Sequence, residues 1–552
     1  MSLPSPSSVG LGGQRTVSGL TYRVVAGTNG TLVWDAVTTG THGRRIAALE
    51  ELLVNPAFYG AVGDGVADDT AALQAAYDSL TVGESLLLNK NYKITDTCFI
   101  TDKTRVKITG WGIGRIFMEN AASNTNAFKI RGTVTGITIE ELTVVGEGNP
   151  AYNQSCIGSD SGQTINEFSY HHLSISGTNI GISMSQTSSG TYNKGTVYSN
   201  TLKNIVGTTS GRGYGIHLDE AKNVHVYQNT LDNCSRHSIY QAKGQDCNNI
   251  IEGNIILNHR KDVADLTFRC AISCARSTGI SIINNKFYNG YDGAIEIAHD
   301  TVNSIDCNGI LVANNTFKDK KNIVPYILIG QQTPRNTAHT SRITIKGNTF
   351  REDVAVSGGG TTISILHGHN ITIQANDFYR ENTTTSSNCV TLGDDSFALT
   401  DADIYNITIV NNVAHNEAAV SGSRFALVAT QLCTGSSAYT IKNNTLTNFE
   451  KEVDFLTTPT NLNSKLKFIA QVTYDVPNVP AQDVHRNEIS LVGVKPTSSV
   501  TGSLTHSVAS NKLMHAYHAS DTINRIGIQV ANVTSTGINQ NSQTFDIHIE
   551  DF

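Results

Sequence analysis

Between residues 197 and 449 short runs of β-branched and other apolar residues alternate with polar ones and end, unit after unit, on the same asparagine. The segments Val197-Tyr-Ser-Asn-Thr-Leu202, Val226-Tyr-Gln-Asn-Thr-Leu231, Ile282-Ile-Asn-Asn-Lys-Phe287, Ile345-Lys-Gly-Asn-Thr-Phe350 and Ile441-Lys-Asn-Asn-Thr-Leu446 show the phrase. Its Asn falls at 200, 229, 254, 285, 315, 348, 376, 412 and 444, at intervals of 25 to 36 residues. Each unit holds two or three strands of three to five residues with no helical periodicity between them. A repeat of this length and composition predicts a solenoid in which each unit is one coil of a parallel β-helix. Alternate apolar residues point inward and stack on their counterparts, while the shared Asn is expected to take the left-handed conformation at the turn and hydrogen-bond along the stack.

The flanks read differently. In Arg44–Leu53, Ile46, Leu49 and Leu53 share a helical stripe, which alone is too short to be stable and predicts a neck packed against copies of itself. Residues 58–76 read as a short strand, a Gly-Asp-Gly turn containing Asp64, and an N-cap at Asp68, Asp69 and Thr70 that opens an Ala-rich helix. The apolar face of that helix, Leu73, Ala76, Tyr77 and Leu80, predicts a lid over the first coil, whose strand edges would otherwise be open. After Phe449 the ladder stops, and alternation in Ile489–Val494, Ile526–Val530 and Phe545–Ile549 predicts an antiparallel β-sandwich. The organisation expected is a lead-in and neck (1–55), a parallel β-helix (56–464) and a C-terminal β-sandwich (465–552).

Composition sharpens this. Only 16% of the 552 residues are charged, against about a quarter in an ordinary domain, and 48 are Gly, as suits a solenoid with many turns. A formal charge of −7 with no Lys/Arg cluster speaks against nucleic acid or an anionic membrane as partner. The nine cysteines are odd in number and lack Cys-x-x-Cys spacing, so they read as buried free thiols of a protein folded in reducing cytoplasm, with no metal or cofactor expected. No segment has signal-peptide form or approaches the roughly 20 apolar residues of a membrane span.

The stretch Phe58-Tyr-Gly-Ala-Val-Gly-Asp-Gly-Val-Ala-Asp-Asp-Thr-Ala-Ala-Leu-Gln-Ala-Ala76, with the ladder behind it, resembles the opening signature of the pectate-lyase-like right-handed β-helix superfamily. The branch it resembles is that of bacteriophage tailspikes and capsule depolymerases, and the resemblance covers residues 56–450. It implies an all-β, right-handed parallel β-helix with an N-terminal capping helix and a C-terminal antiparallel β-sandwich. It further implies a homotrimeric spike, joined to a phage tail or baseplate through its N-terminus, assembled in host cytoplasm and released by lysis. Such a spike binds and cleaves a bacterial surface polysaccharide: a capsule, an exopolysaccharide or an O-antigen. The signature itself is structural and supplies no catalytic residue.

The repeat nonetheless gives a register in which to search for a site. A second strand, a small residue followed by Ile, precedes several ladder asparagines: Gly215–Glu220, Ser238–Lys243, Ala271–Arg276 and Ala294–His299. Sending Ile216, Ile239, Ile272 and Ile295 inward leaves His217, Tyr240, Ser273 and Glu296 as an outward column. Two residues on, Asp219, Ala242, Ala275 and Ala298 form a second column, flanked by Glu220, Lys243, Arg276 and His299. The three alanines predict a shallow trough, walled by Tyr240 and Glu296, where Tyr could stack on a sugar and His and carboxylate could hydrogen-bond to hydroxyls.

Spacing then restricts the chemistry. Asp219 and Glu296 stand three coils apart, roughly 14 Å, too far for a glycosidase pair, whose carboxyls lie roughly 5 to 9.5 Å apart. Nearer partners for Glu296 are Asp300 and, in the Arg260–Asp265 turn, Asp262 or Asp265. The expected hydrolase uses Glu296 with one of these, Asp219 and Glu220 serving a separate subsite or one completed by another subunit. His217, Tyr240 and His299 would hold sugars, and the Arg236-His237 pair could meet an acidic one. A lyase would instead need a base, Tyr240 or His217, and a cation, Arg276 or Lys243, on a uronate carboxylate. A non-catalytic glycan-binding adhesin is the third reading. Asp394-Asp395 reads as a turn pair, and Lys346 and Lys442 as structural.

Overall fold

The computed structural model describes residues 53–119, 124–160, 162–184, 191–207, 211–261, 269–299, 305–321, 324–330, 339–352, 361–380, 388–393, 404–416 and 440–447, with the backbone alone of 438–439 and of further strands toward both termini. As the repeat predicts, the chain is an all-β parallel solenoid. Thirteen strands, from Phe99–Thr101 to Lys451–Phe455, stack in one parallel sheet. A second continuous sheet carries the ladder strands, likewise paired in parallel one coil apart.

The interior is built of like on like. Ile216, Ile239, Ile272, Ile295, Ile327 and Ile363 occupy matching positions in successive coils, all fully buried. On the opposite wall the rings of Phe287, Phe317, Phe350 and Phe378 stack at 4.8, 4.7 and 5.0 Å, each pair adding about 1 kcal/mol to its burial.

The Asn ladder is interior too. In Asn285, Oδ1 accepts from the backbone N–H and the Nδ2 of Asn254, both at 2.9 Å, while Nδ2 donates to Asn315 Oδ1 and to the Ile251 carbonyl. The same pattern runs from Asn200 to Asn444. The left-handed turn residue is therefore not the shared Asn, as expected, but the one before it: Ser199, Gln228, Asn284, Ala375, Asn411 and Asn443 have φ between 52° and 58°. Shifting the turn back one position frees each ladder side chain to point inward and serve backbone groups of its own and neighbouring coils.

Inside the corner, Lys320, Glu352 and Arg380 from successive coils form a buried ionic triad. Lys320 Nζ lies 3.0 Å from Glu352. Arg380 also donates to Thr362 and the Asn388 carbonyl.

The helix Thr70–Ser79 forms where the Ala-rich stretch predicts, with Leu73, Ala76 and Tyr77 buried. Its start differs from expectation: Asp69 makes no cap bond and turns its carboxylate back to the N–H groups of Val62 and Gly63, while Asp68 accepts from Thr70. Leu53, read as the end of a neck helix, is in the strand Leu53–Val54, which pairs with Ser85–Leu86; residues 44–52 lie outside those described. Eight cysteines are free and buried, and Cys433 lies outside the described residues. Toward the C-terminus the backbone of Lys467–Tyr474 pairs in parallel with Ala438–Lys442 and antiparallel with Gln543–Glu550, while Val484–Ser490, Arg525–Asn532 and Lys512–His518 form an antiparallel sheet.

Candidate active site

Parallel stacking sets the predicted columns side by side. His217 pairs with Tyr240, Tyr240 with Ser273, and Ser273 with Glu296, on successive coils of the thirteen-stranded sheet. Asp219, Ala242, Ala275 and Ala298 follow in the same register. The alanine trough is less open than expected: Ala242 and Ala298 are buried, and only Ala275 reaches solvent.

At one end of the column the aromatic groups gather. Tyr214 and Tyr240 lie parallel with ring centres 5.0 Å apart, His237 stacks on both, and the His217 ring is tilted against both at about 5 Å. Burial, aided by the charges of Lys243 and Arg236, drops the His217 pKa to about 3, so this imidazole is neutral. Burial also lifts the Tyr240 phenol to about 12. His237 is buried, its Nδ1 2.6 Å from the Cys270 carbonyl.

Asp219 is buried, with one oxygen 3.0 Å from Lys243 Nζ; burial raises its pKa against the pull of that ammonium. Glu220, Lys243 and Arg276 form their own column at the strand ends, in left-handed conformation with φ of 61°, 54° and 59°. Each gives its N–H to an alanine carbonyl of the next coil. The expected His299 contact does not form: His299 is fully buried, with Nδ1 2.9 Å from Thr340 Oγ1 and its ring against His367, because it shares the inward parity of Ile295 and Ile297.

Glu296 lies at the other end of the column. The residue is partly exposed, and its carboxylate accepts a 2.8 Å hydrogen bond from Ser273. Burial raises its pKa, opposed by that hydroxyl and by the charge of Arg269. Arg269 did not emerge from the sequence reading, and neither did Asp292. Asp292 receives the backbone N–H of Arg269 at 3.0 Å and Arg260 Nε at 3.1 Å, and burial lifts its pKa to about 6. It thereby holds the segment whose guanidinium acts on Glu296. Both were legible in the same register: Arg236, Arg269 and Asp292 each stand three residues before an inward Ile. Asp262, Asp265, Asp300 and the Asp394-Asp395 pair lie outside the described residues. Among the described residues no group of three or more His, Cys, Asp or Glu could hold a metal ion.

No protein-family model and no curated protein sequence matches the chain. Solved structures do. A mutant tailspike protein of E. coli bacteriophage HK620 aligns over 99% of this chain and 98% of its own, at 12% identity and a TM-score of 0.55. Mutants of the same protein in complex with a hexasaccharide and with a pentasaccharide each align over 95% of this chain and 96% of theirs, at 11% identity, with TM-scores of 0.53 and 0.54. The chain shares their parallel β-solenoid fold.

Proposed function

We propose that this chain is a phage tailspike that binds and cleaves a bacterial surface polysaccharide by hydrolysis. It would work as a homotrimer carried on the virion tail, its C-terminal region closing the spike. Glu296 acts as general acid, protonating the glycosidic oxygen, and Asp265 or Asp300 supplies the second carboxylate. The observation that carries this reading is the state of Glu296: partly exposed, aligned with an aromatic wall, and held above the ordinary glutamate pKa by burial. A raised pKa keeps a carboxylic acid protonated where it must donate. The solved complexes of HK620 tailspike with oligosaccharides give the glycan reading its support.

Elimination on a uronate is less well supported, because Tyr240 at about 12 is a poor proton abstractor near neutral pH. The test is incubation of the full chain with a panel of capsular and O-antigen polysaccharides. New reducing ends without ultraviolet absorbance from an unsaturated product are expected, and Glu296→Gln should abolish them while leaving thermal unfolding unchanged. Retained activity in that variant would discard the site, an absorbing product would turn the reading to elimination, and unchanged polymer size across the panel would favour an adhesin.

A further inference from the structure

The Tyr214–Tyr240 end of the trough carries three buried polar atoms with no hydrogen-bond partner among the described residues: His217 Nε2, Asp219 Oδ1 and Arg236 Nε. Two of these side chains flank one aromatic stack, His217 packed against both rings and Arg236 5.6 Å above Tyr214, while Asp219 lies two residues on from His217 in the same strand. An unpaired buried donor or acceptor costs about 1 to 3 kcal/mol, so three together mark a place that gains when a polar ligand arrives. Charges of both signs gather there, Asp219, Glu220 and Glu296 among the acids. Arg236, Lys243, Arg269 and Arg276 all act on this stack or on the groups touching it, and Asp219 is already committed to Lys243. With Lys243 paired to Asp219, Arg236 is the cation that lies over the tyrosine stack, 5.6 Å from the Tyr214 ring centre.

Resting on the reading that this trough binds glycan, we propose that it takes an acidic polysaccharide, and that Arg236 receives the carboxylate of a uronic acid residue whose hydroxyls reach His217 and Asp219. The guanidinium supplies two parallel donors to a carboxylate, and its unpaired Nε makes turning toward that anion inexpensive. The neutral His217 ring adds no repulsive proton of its own to hydroxyl contacts. Arg236 stands two coils from Glu296, roughly 10 Å, so the acidic sugar lies at a distance from the bond to be cleaved and sets which repeat unit is held.

The test uses the full chain and the methyl glycosides of three uronates, glucuronate, galacturonate and mannuronate, each against the methyl glycoside of the corresponding neutral hexose, with binding read by saturation-transfer NMR titration. At least one uronate should bind ten-fold or more tighter than its neutral counterpart and weaken as salt is raised. Arg236→Gln should remove that difference, Arg236→Lys should keep part of it, and Glu296→Gln should leave it intact, so failure of the cleavage reading would be seen separately. If Arg236→Gln fails to fold, Lys243→Gln provides the second variant, expected to weaken uronate binding several-fold. Equal binding of every uronate and its neutral glycoside, or full retention of the preference in Arg236→Gln, would overturn the proposal.

Discussion

Replacing Asn285 by alanine takes one rung from the interior ladder without touching the surface. The Asn285 side chain is fully buried and its Oδ1 is the acceptor for both the backbone N–H and one Nδ2 proton of Asn254. Alanine leaves those two donors in the core with no partner, at about 2 kcal/mol each, so a loss of about 4 kcal/mol is expected. The neighbouring Asn284 offers the control: the same chemical change, but at an exposed residue with φ of 58° whose one side-chain bond, to Glu252, is long at 3.3 Å. Alanine there must bear the left-handed conformation, for about 1 kcal/mol. Guanidinium chloride unfolding followed by circular dichroism gives the comparison, or unfolding rates at fixed denaturant where refolding fails. Equal midpoints for the two variants would refute the claim that the ladder, rather than the turn, holds adjacent coils together.

Other perturbations test the site and the buried charges. Ser273→Ala removes the hydrogen bond that stabilises the Glu296 carboxylate, so the Glu296 pKa should rise further and the alkaline limb of the activity profile should move to higher pH. The folded-state pKa of Asp292, about 6, lies above the unfolded value of 3.8; its contribution to stability is therefore present below pH 4 and lost as pH rises through 6. That contribution amounts to up to about 3 kcal/mol, and Asp292→Asn should erase this part of the pH dependence of the unfolding midpoint. Lys320→Met should cost about 3 to 5 kcal/mol by leaving Glu352 buried with Arg380 3.7 Å away as its remaining ion-pair partner, measured by the same denaturant titration.

Much of the architecture was legible because a solenoid converts sequence intervals into spatial neighbours. Nine asparagines at intervals of 25 to 36 residues fix which residues meet across coils, and the register His217, Tyr240, Ser273, Glu296 follows from counting alone. The backbone state at each rung was not legible. Ser199, Gln228 and Ala375 carry no preference for a left-handed turn, yet they adopt it because the buried Asn after them needs its side chain inside. The same competition decided Asp69, whose carboxylate serves two loop N–H groups rather than the helix it precedes.

At the site, register and chemistry gave different guidance, and register was the more dependable. Strand parity applied strictly sends His299 inward with Ile295 and Ile297, and there it is buried and hydrogen-bonded; His237 shares the parity of Ile239, yet its ring stacks on the outward Tyr240. Parity weakens where a strand begins: Tyr214 shares the parity of Ile216, yet its ring lies flat on that of the outward Tyr240. A side chain at the corner can turn either way, and only packing decides. Arg269 and Asp292 stand one position further out, in the column of Arg236, where single-sequence alternation carries no signal but the stacking of one coil on the next still does. Chemistry in a β-helix is therefore best sought along columns continued past the strand ends, since a corner cation such as Arg269 can act on an acid such as Glu296 that lies on the neighbouring coil, here opposing the upward shift that burial imposes.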